Sequence, residues 1–112
     1  MRRRDAKEPT QRQLRVGEEL RHALAWIIER GDFHDPELAK VQVTVTEVRV
    51  SPDLRNATAF VTPLGGGDAM PALKLLNHAS PFLSRQLAAK LTTKYSPRVN
   101  FVEDTSFEFP PV

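Results

Sequence analysis

Between Ala69 and Val102 the chain carries five cations, Lys74, Arg85, Lys90, Lys94 and Arg98, and no Asp or Glu. A one-sign stretch inside an otherwise mixed chain suits a surface that meets an anion. Ser80-Pro81 lies within it. Pro81 would break a helix running through it, but the pair makes a good helix start, with Ser80 as N-cap and Pro81 at the first helical position. The N–H groups of Phe82 and Leu83 are then expected to be free at that start, where a phosphate is favoured. Arg85 follows one turn later. The chemistry this predicts is anion binding. Catalysis has no comparable constellation: His22, His34 and His78 are far apart, and no nucleophile–base–orienter pattern links them. His34-Asp35 reads as turn chemistry, and His78, at the kink, reads as a contact residue and not a base. With no cysteines, the chain has neither a disulfide framework nor a Cys-based metal site.

The elements that must position these groups follow from periodicity. Thr10 and Gln13 form a capping box. Behind them Val16, Leu20, Ala23, Leu24, Ile27 and Ile28 make one apolar face, and Gly31 suits a C-terminal cap, so the spacing predicts a helix from about Gln11 to Arg30. Arg12, Arg15 and Arg21 lie off that face. Trp26 is expected to flank the stripe, with base stacking as the alternative reading. Asp32 to Leu38 is expected to be a connector with a turn at Asp35-Pro36. Val41, Val43 and Val45 alternate as in a strand, but Val48 and Val50 fall on the other parity, which implies a β-bulge near Thr46-Glu47. Ser51-Pro52-Asp53-Leu54 is a turn. A second strand, Asn56 to Thr62, puts Ala57, Ala59 and Val61 on one face.

Leu64 and the three glycines after it form a loop, and it is not a phosphate loop because no Gly-Lys-Ser/Thr follows. Asp68 is expected to cap a second helix with Leu73 and Leu76 inward. A kink at Asn77-His78-Ala79-Ser80 leads to a third helix with Leu83, Leu87 and Leu91 inward and Arg85 outward, ended by Ser96-Pro97. A last strand follows, with Val99 and Phe101 on one face. The expectation is an α+β fold: α-β-β-α-kink-α-β, a three-stranded sheet with helices packed on one face.

The 112 residues fit one small domain. Residues 10–106 are read as that domain, 1–9 as a polar, basic tail with Arg2, Arg3, Arg4 and Lys7, and 107–112 as a second tail. The net charge of +2 is modest but unevenly placed, and suits a nucleic-acid partner. No apolar run approaches membrane-spanning length, and the N-terminus lacks the apolar core of a secretory signal.

The element order is that of the bacterial KH-like (type II) domains. KH domains that bind RNA clamp its backbone with a Gly-x-x-Gly loop; this chain has none, and Ala79-Ser80-Pro81 stands at the kink. In this it resembles the ribosome-binding factor A family, whose kinked helix pair substitutes Ala for those glycines. Asp35-Pro36-Glu37-Leu38, Val48 to Leu54 with Ala57 to Val61, Ala79-Ser80 followed by Phe82-Leu83 and Leu87, and Asp104-Thr105-Ser106 are similar to family segments in the same order. One departure follows Ser106: family members usually continue with a polar or helical tail, and here the sequence reads Phe107 to Val112. The resemblance implies a cytoplasmic, bacterial factor, monomeric off the ribosome. It implies binding to the immature 30S ribosomal subunit, assistance in 16S rRNA maturation and small-subunit assembly, and cooperation with a ribosome-associated GTPase. It implies no catalysis, no cofactor, no metal and no membrane. The expected RNA contacts are Asn77, His78, Ala79, Ser80, Arg85, Lys90, Lys94 and Arg98, with Arg12 and Arg15 on the first helix. Two other readings remain open from the residues: a KH-like domain that serves protein–protein contact, and a general RNA-binding module.

Overall fold

A computed structural model describes residues 8–31, 36–91 and 97–106. The elements run α1 (Gln11–Arg30), α2 (Pro36–Ala39), β1 (Val43–Val50), β2 (Asn56–Pro63), α3 (Met70–His78), α4 (Ser80–Lys90) and β3 (Arg98–Glu103). The α+β expectation holds: a three-stranded sheet of order β1-β2-β3 carries its helices on one face. The β1–β2 pair is an antiparallel hairpin and β3 joins β2 in parallel, so α3 and α4 form the crossover that parallel pairing requires.

The first helix starts and stops where its caps dictate. Thr10 accepts from the Gln13 N–H, and the Gln13 side chain accepts in turn from the Thr10 N–H. Gly31 ends it at φ 64°, a left-handed cap that glycine adopts without steric cost. The bulge lies where the parity slips: the register shifts between Val45 and Glu47, leaving Thr46 and Glu47 both facing away from the core. That slip lets Val43, Val45, Val48 and Val50 all point inward. Ala57, Ala59, Val61, Val99 and Phe101 complete the inner face, and Leu20, Leu24, Leu76, Leu83 and Leu87 cover it.

Three details differ from the sequence-based expectation. Residues 36–39 form one helical turn and not a plain connector, because Leu38 is carried into the core. Met70 opens α3 with Ala69 at its N-cap, although the Asp68 carboxylate still accepts from the Met70 N–H. The α4 helix ends at Lys90, and Leu91 is extended and only half-buried. Lys94, Ser96, His34-Asp35, the N-terminal arginines and residues 107–112 lie outside the described residues.

Gly17 has a structural task that helical periodicity does not reveal. A Cβ placed on it would sit 2.5 Å from the Val48 carbonyl oxygen, so α1 and β1 approach backbone to backbone there. At an exposed helical site Gly→Ala stabilises by about 1 kcal/mol. Here Gly17→Ala is expected to destabilise by about 1–3 kcal/mol, because Val48 is held in the ladder opposite Ala59 and cannot move aside cheaply. The sign of the change in denaturant midpoint checks this.

The end of β3 is tied across the sheet. The Thr46 hydroxyl donates to the Asp104 carboxylate, the Ser106 N–H donates to its other oxygen, and the Asp104 N–H reaches the Val61 carbonyl. The Thr46 bond foremost, then those from Ser106, hold the Asp104 carboxyl below the usual carboxylate range. A lowered folded-state pKa contributes stability above the unfolded value of about 3.9, and that stability disappears as pH falls through the folded value. Asp104→Ala should therefore cost about 1 kcal/mol near neutral pH at this partly exposed site. The gap to the parent should close below about pH 4, as denaturant titrations at several pH values would read.

Candidate nucleic-acid interface

The junction of α3 and α4 is made by Ala79 alone, at φ −87° and ψ 3°. That bridge conformation is open to any L-residue, so no glycine is needed. Hydrogen bonding runs close to the junction on both sides: the Ala79 N–H donates to Leu75 O (3.0 Å) and the Leu83 N–H to Ala79 O (2.9 Å). This corrects one expectation. Leu83 has no free N–H for a phosphate, and Pro81 has none at all. Ser80 opens α4 as its first helical residue and does not cap it; its hydroxyl donates to the Val99 carbonyl.

The side chains at the junction face the edge of β3. Asn77 donates from its amide nitrogen to the Phe101 carbonyl (3.0 Å) and accepts from the Phe101 N–H (2.8 Å). Ser80 takes the Val99 carbonyl, and the Ser84 hydroxyl accepts a long 3.4 Å contact from the Val99 N–H. Successive N–H and C=O pairs of a strand alternate in direction. Val99 and Phe101 therefore turn outward, where an added strand would pair, and three helical side chains meet them instead.

Beside this edge runs an open groove of about 610 Å3. Its polar lining is Asn56, Asn77, Ser80, Ser84, Arg98 and Asn100, and its apolar lining is Pro81, Pro97 and Val99. Arg98 and Asn100 are exposed on β3 and Asn56 on β2. Arg85 is exposed on α4, four residues after Pro81, and so on the same side of that helix. His78 is exposed at the end of α3.

Four of the five cations in the acid-free stretch lie among the described residues. Lys74, Arg85, Lys90 and Arg98 are all exposed, and none forms a salt bridge there. Arg21, by contrast, is engaged by Glu18 at 2.9 Å, and that hydrogen bond holds the Glu18 carboxyl below its ordinary range. Arg49 is likewise paired with Glu47 at 2.7 Å. Arg12 and Arg15 are exposed on the first turns of α1, apart from the groove lining. The expected contacts thus divide. Asn77, Ser80 and Arg98 line the groove, with Ala79 at the junction beside them. Arg85 flanks it, and Lys90 lies at the far end of α4. Asn56, Ser84 and Asn100 were not anticipated, because only the pairing of β3 with β2 brings them together.

The fold and its groove define a KH-like domain of the kind that kinks on alanine where others carry a glycine loop. The chain belongs to the ribosome-binding factor A family, whose model matches residues 12–109. It is 58% identical to ribosome-binding factor A of Paramagnetospirillum magneticum over 105 residues, covering 94% of this chain and 74% of that protein. Against the Rhodospirillum rubrum protein the identity is 55%, covering 92% and 63%. Its fold is similar to the crystal structure of ribosome-binding factor A from Thermus thermophilus, with a TM-score of 0.67 and 27% identity over 81% of this chain and 94% of that one. It is also similar to a homology model of the Thermus thermophilus factor fitted into a cryo-EM map of a 30S complex (TM-score 0.61, 27% identity, 80% and 91% covered).

Proposed function

We propose that this protein binds the immature 30S ribosomal subunit in the cytoplasm and assists 16S rRNA maturation there, without catalysis of its own. The observation that carries this reading is the groove along the sealed edge of β3, with Arg98 inside it, Arg85 beside it and no acidic residue between Ala69 and Val102. Family membership and the 30S complex of the Thermus thermophilus relative support it. Release by a ribosome-associated GTPase, and a monomeric state off the ribosome, belong to the same proposal.

The groove argues for a particular mode of contact. With the outward groups of Val99 and Phe101 bonded to Asn77, Ser80 and Ser84, the strand backbone is not available to read base edges. What remains is side-chain chemistry: the Arg98 guanidinium and the amides of Asn56 and Asn100. Contacts of this kind to phosphate and sugar position a protein and carry little sequence information. Selectivity then comes from the shape of the folded particle. RNA contact is favoured over a protein-only role because the one charged side chain of the groove lining is the Arg98 cation, and the exposed Arg85 flanks it.

Cosedimentation with immature small-subunit particles, mature subunits and naked 16S rRNA at two salt concentrations tests this. Preferential, salt-sensitive binding to the immature particle is expected. No binding to that particle would overturn the function, and equal binding to all three would reduce the protein to a general RNA-binding module.

A further inference from the structure

Trp26, the chain's only tryptophan, has 46% of its surface exposed. The core does not use it, since Leu24, Leu83 and Leu87 close that side of the sheet with no exposure at all. Two cations lie over the indole instead. The Lys90 ammonium is 3.6 Å from the ring centroid and the Arg30 guanidinium carbon 4.6 Å. Lys90 is the last residue of α4 and Arg30 the last of α1. The negative end of a helix dipole favours a cation in each last turn, but that explains the charges and not the exposed ring they share.

We propose that Trp26, Lys90 and Arg30 form a second RNA contact, in which an unpaired base displaces the Lys90 ammonium from the indole and stacks there, while the two cations meet the phosphate beside it. Stacking on an aromatic ring is open to every base, because each has a π-face, and it is a strong sequence-tolerant contact. An ammonium held at a ring face by cation–π attraction keeps outward N–H donors for an anion. The Lys90 ammonium lies 3.6 Å from the ring centroid, so a base must displace it to stack, and the displaced ammonium is left tethered beside the ring, within reach of the neighbouring phosphate. Lys90 is ten residues beyond Ser80, about 15 Å along the helix axis, so this contact and the groove lie at opposite ends of α4. The proposal rests on the ribosomal reading above and adds to it a single-stranded RNA segment as the ligand of this surface.

The lone tryptophan makes the test direct. Emission from Trp26 is followed while the protein is titrated with immature small-subunit particles and with the rRNA stripped from them. Quenching by both is expected. Trp26→Leu should keep the circular dichroism spectrum and bind the rRNA about tenfold or more weakly, while Trp26→Phe should recover much of the loss. Lys90→Met should reduce the salt dependence of binding by about one log–log unit or less. Tight binding with unchanged emission, or Trp26→Leu binding as the parent does, overturns the proposal and leaves the ribosomal reading standing. Quenching by particles but not by stripped rRNA assigns the surface to a ribosomal protein and also overturns it. Failure of the parent chain to bind either probe removes both readings.

Discussion

Arg85→Glu combined with Arg98→Glu is expected to weaken binding to immature small-subunit particles by about 100-fold, taking roughly 1–2 kcal/mol for each reversed phosphate contact. Neither side chain supports the fold. Both are exposed, neither forms a salt bridge among the described residues, and the ladder bond from Arg98 to the Arg55 carbonyl uses the backbone N–H. The double variant should keep its circular dichroism spectrum and denaturation midpoint. Its residual binding should show a shallower dependence on salt, since fewer counterions are released. A folded double variant with the parent's affinity and salt slope would move the site to Arg12 and Arg15 at the start of α1.

Leu87→Ala should have the opposite profile, removing stability while leaving the binding surface chemically intact. Leu87 has no exposure and lies where α4 meets the inner face of the sheet. Truncating a buried leucine costs about 2–5 kcal/mol, depending on how far the site collapses. A small domain has only about 5–15 kcal/mol to lose, so the melting temperature should fall steeply. Gln86, its exposed neighbour, serves as the control, since Gln86→Ala should stay within about 0.5 kcal/mol. A Leu87→Ala midpoint equal to the parent's would mean that α4 is rotated on its axis.

Much of this architecture was legible in the sequence because its signals are local. The Thr10–Gln13 box and Gly31 fix both ends of α1 through bonds between near neighbours. The change of parity between Val45 and Val48 betrays the bulge, since only an extra residue keeps all four valines of β1 inward. Ser80-Pro81 marks the break between α3 and α4 because proline cannot continue a helix through it. The roles of individual side chains were less legible where they depend on contacts distant in the chain. Gly17 reads as an ordinary helix position until β1 is seen pressing on it. Ser80 has the composition of an N-cap, but a carbonyl of β3 competes for its hydroxyl and wins. Asn77 likewise reads as a polar contact residue, and its amide is engaged by Phe101. The groove exists only because β3 pairs with β2 in parallel, which no local pattern dictates.

The treatment of the sheet's two borders bears on how this protein behaves in a crowded cell. A strand with unbonded N–H and C=O groups along its rim is a template for another chain, and such rims are where domain swapping and fibril growth begin. On the β3 side Asn77, Ser80 and Ser84 occupy the positions an incoming strand would need. On the β1 side the bulge at Thr46-Glu47 breaks the straight run of the rim. The Gln13 side chain takes the Val50 carbonyl, and Glu47 and Arg49 place charges along the strand. Neither border offers a long, flat template, so copies of this chain that meet are kept from joining edge to edge.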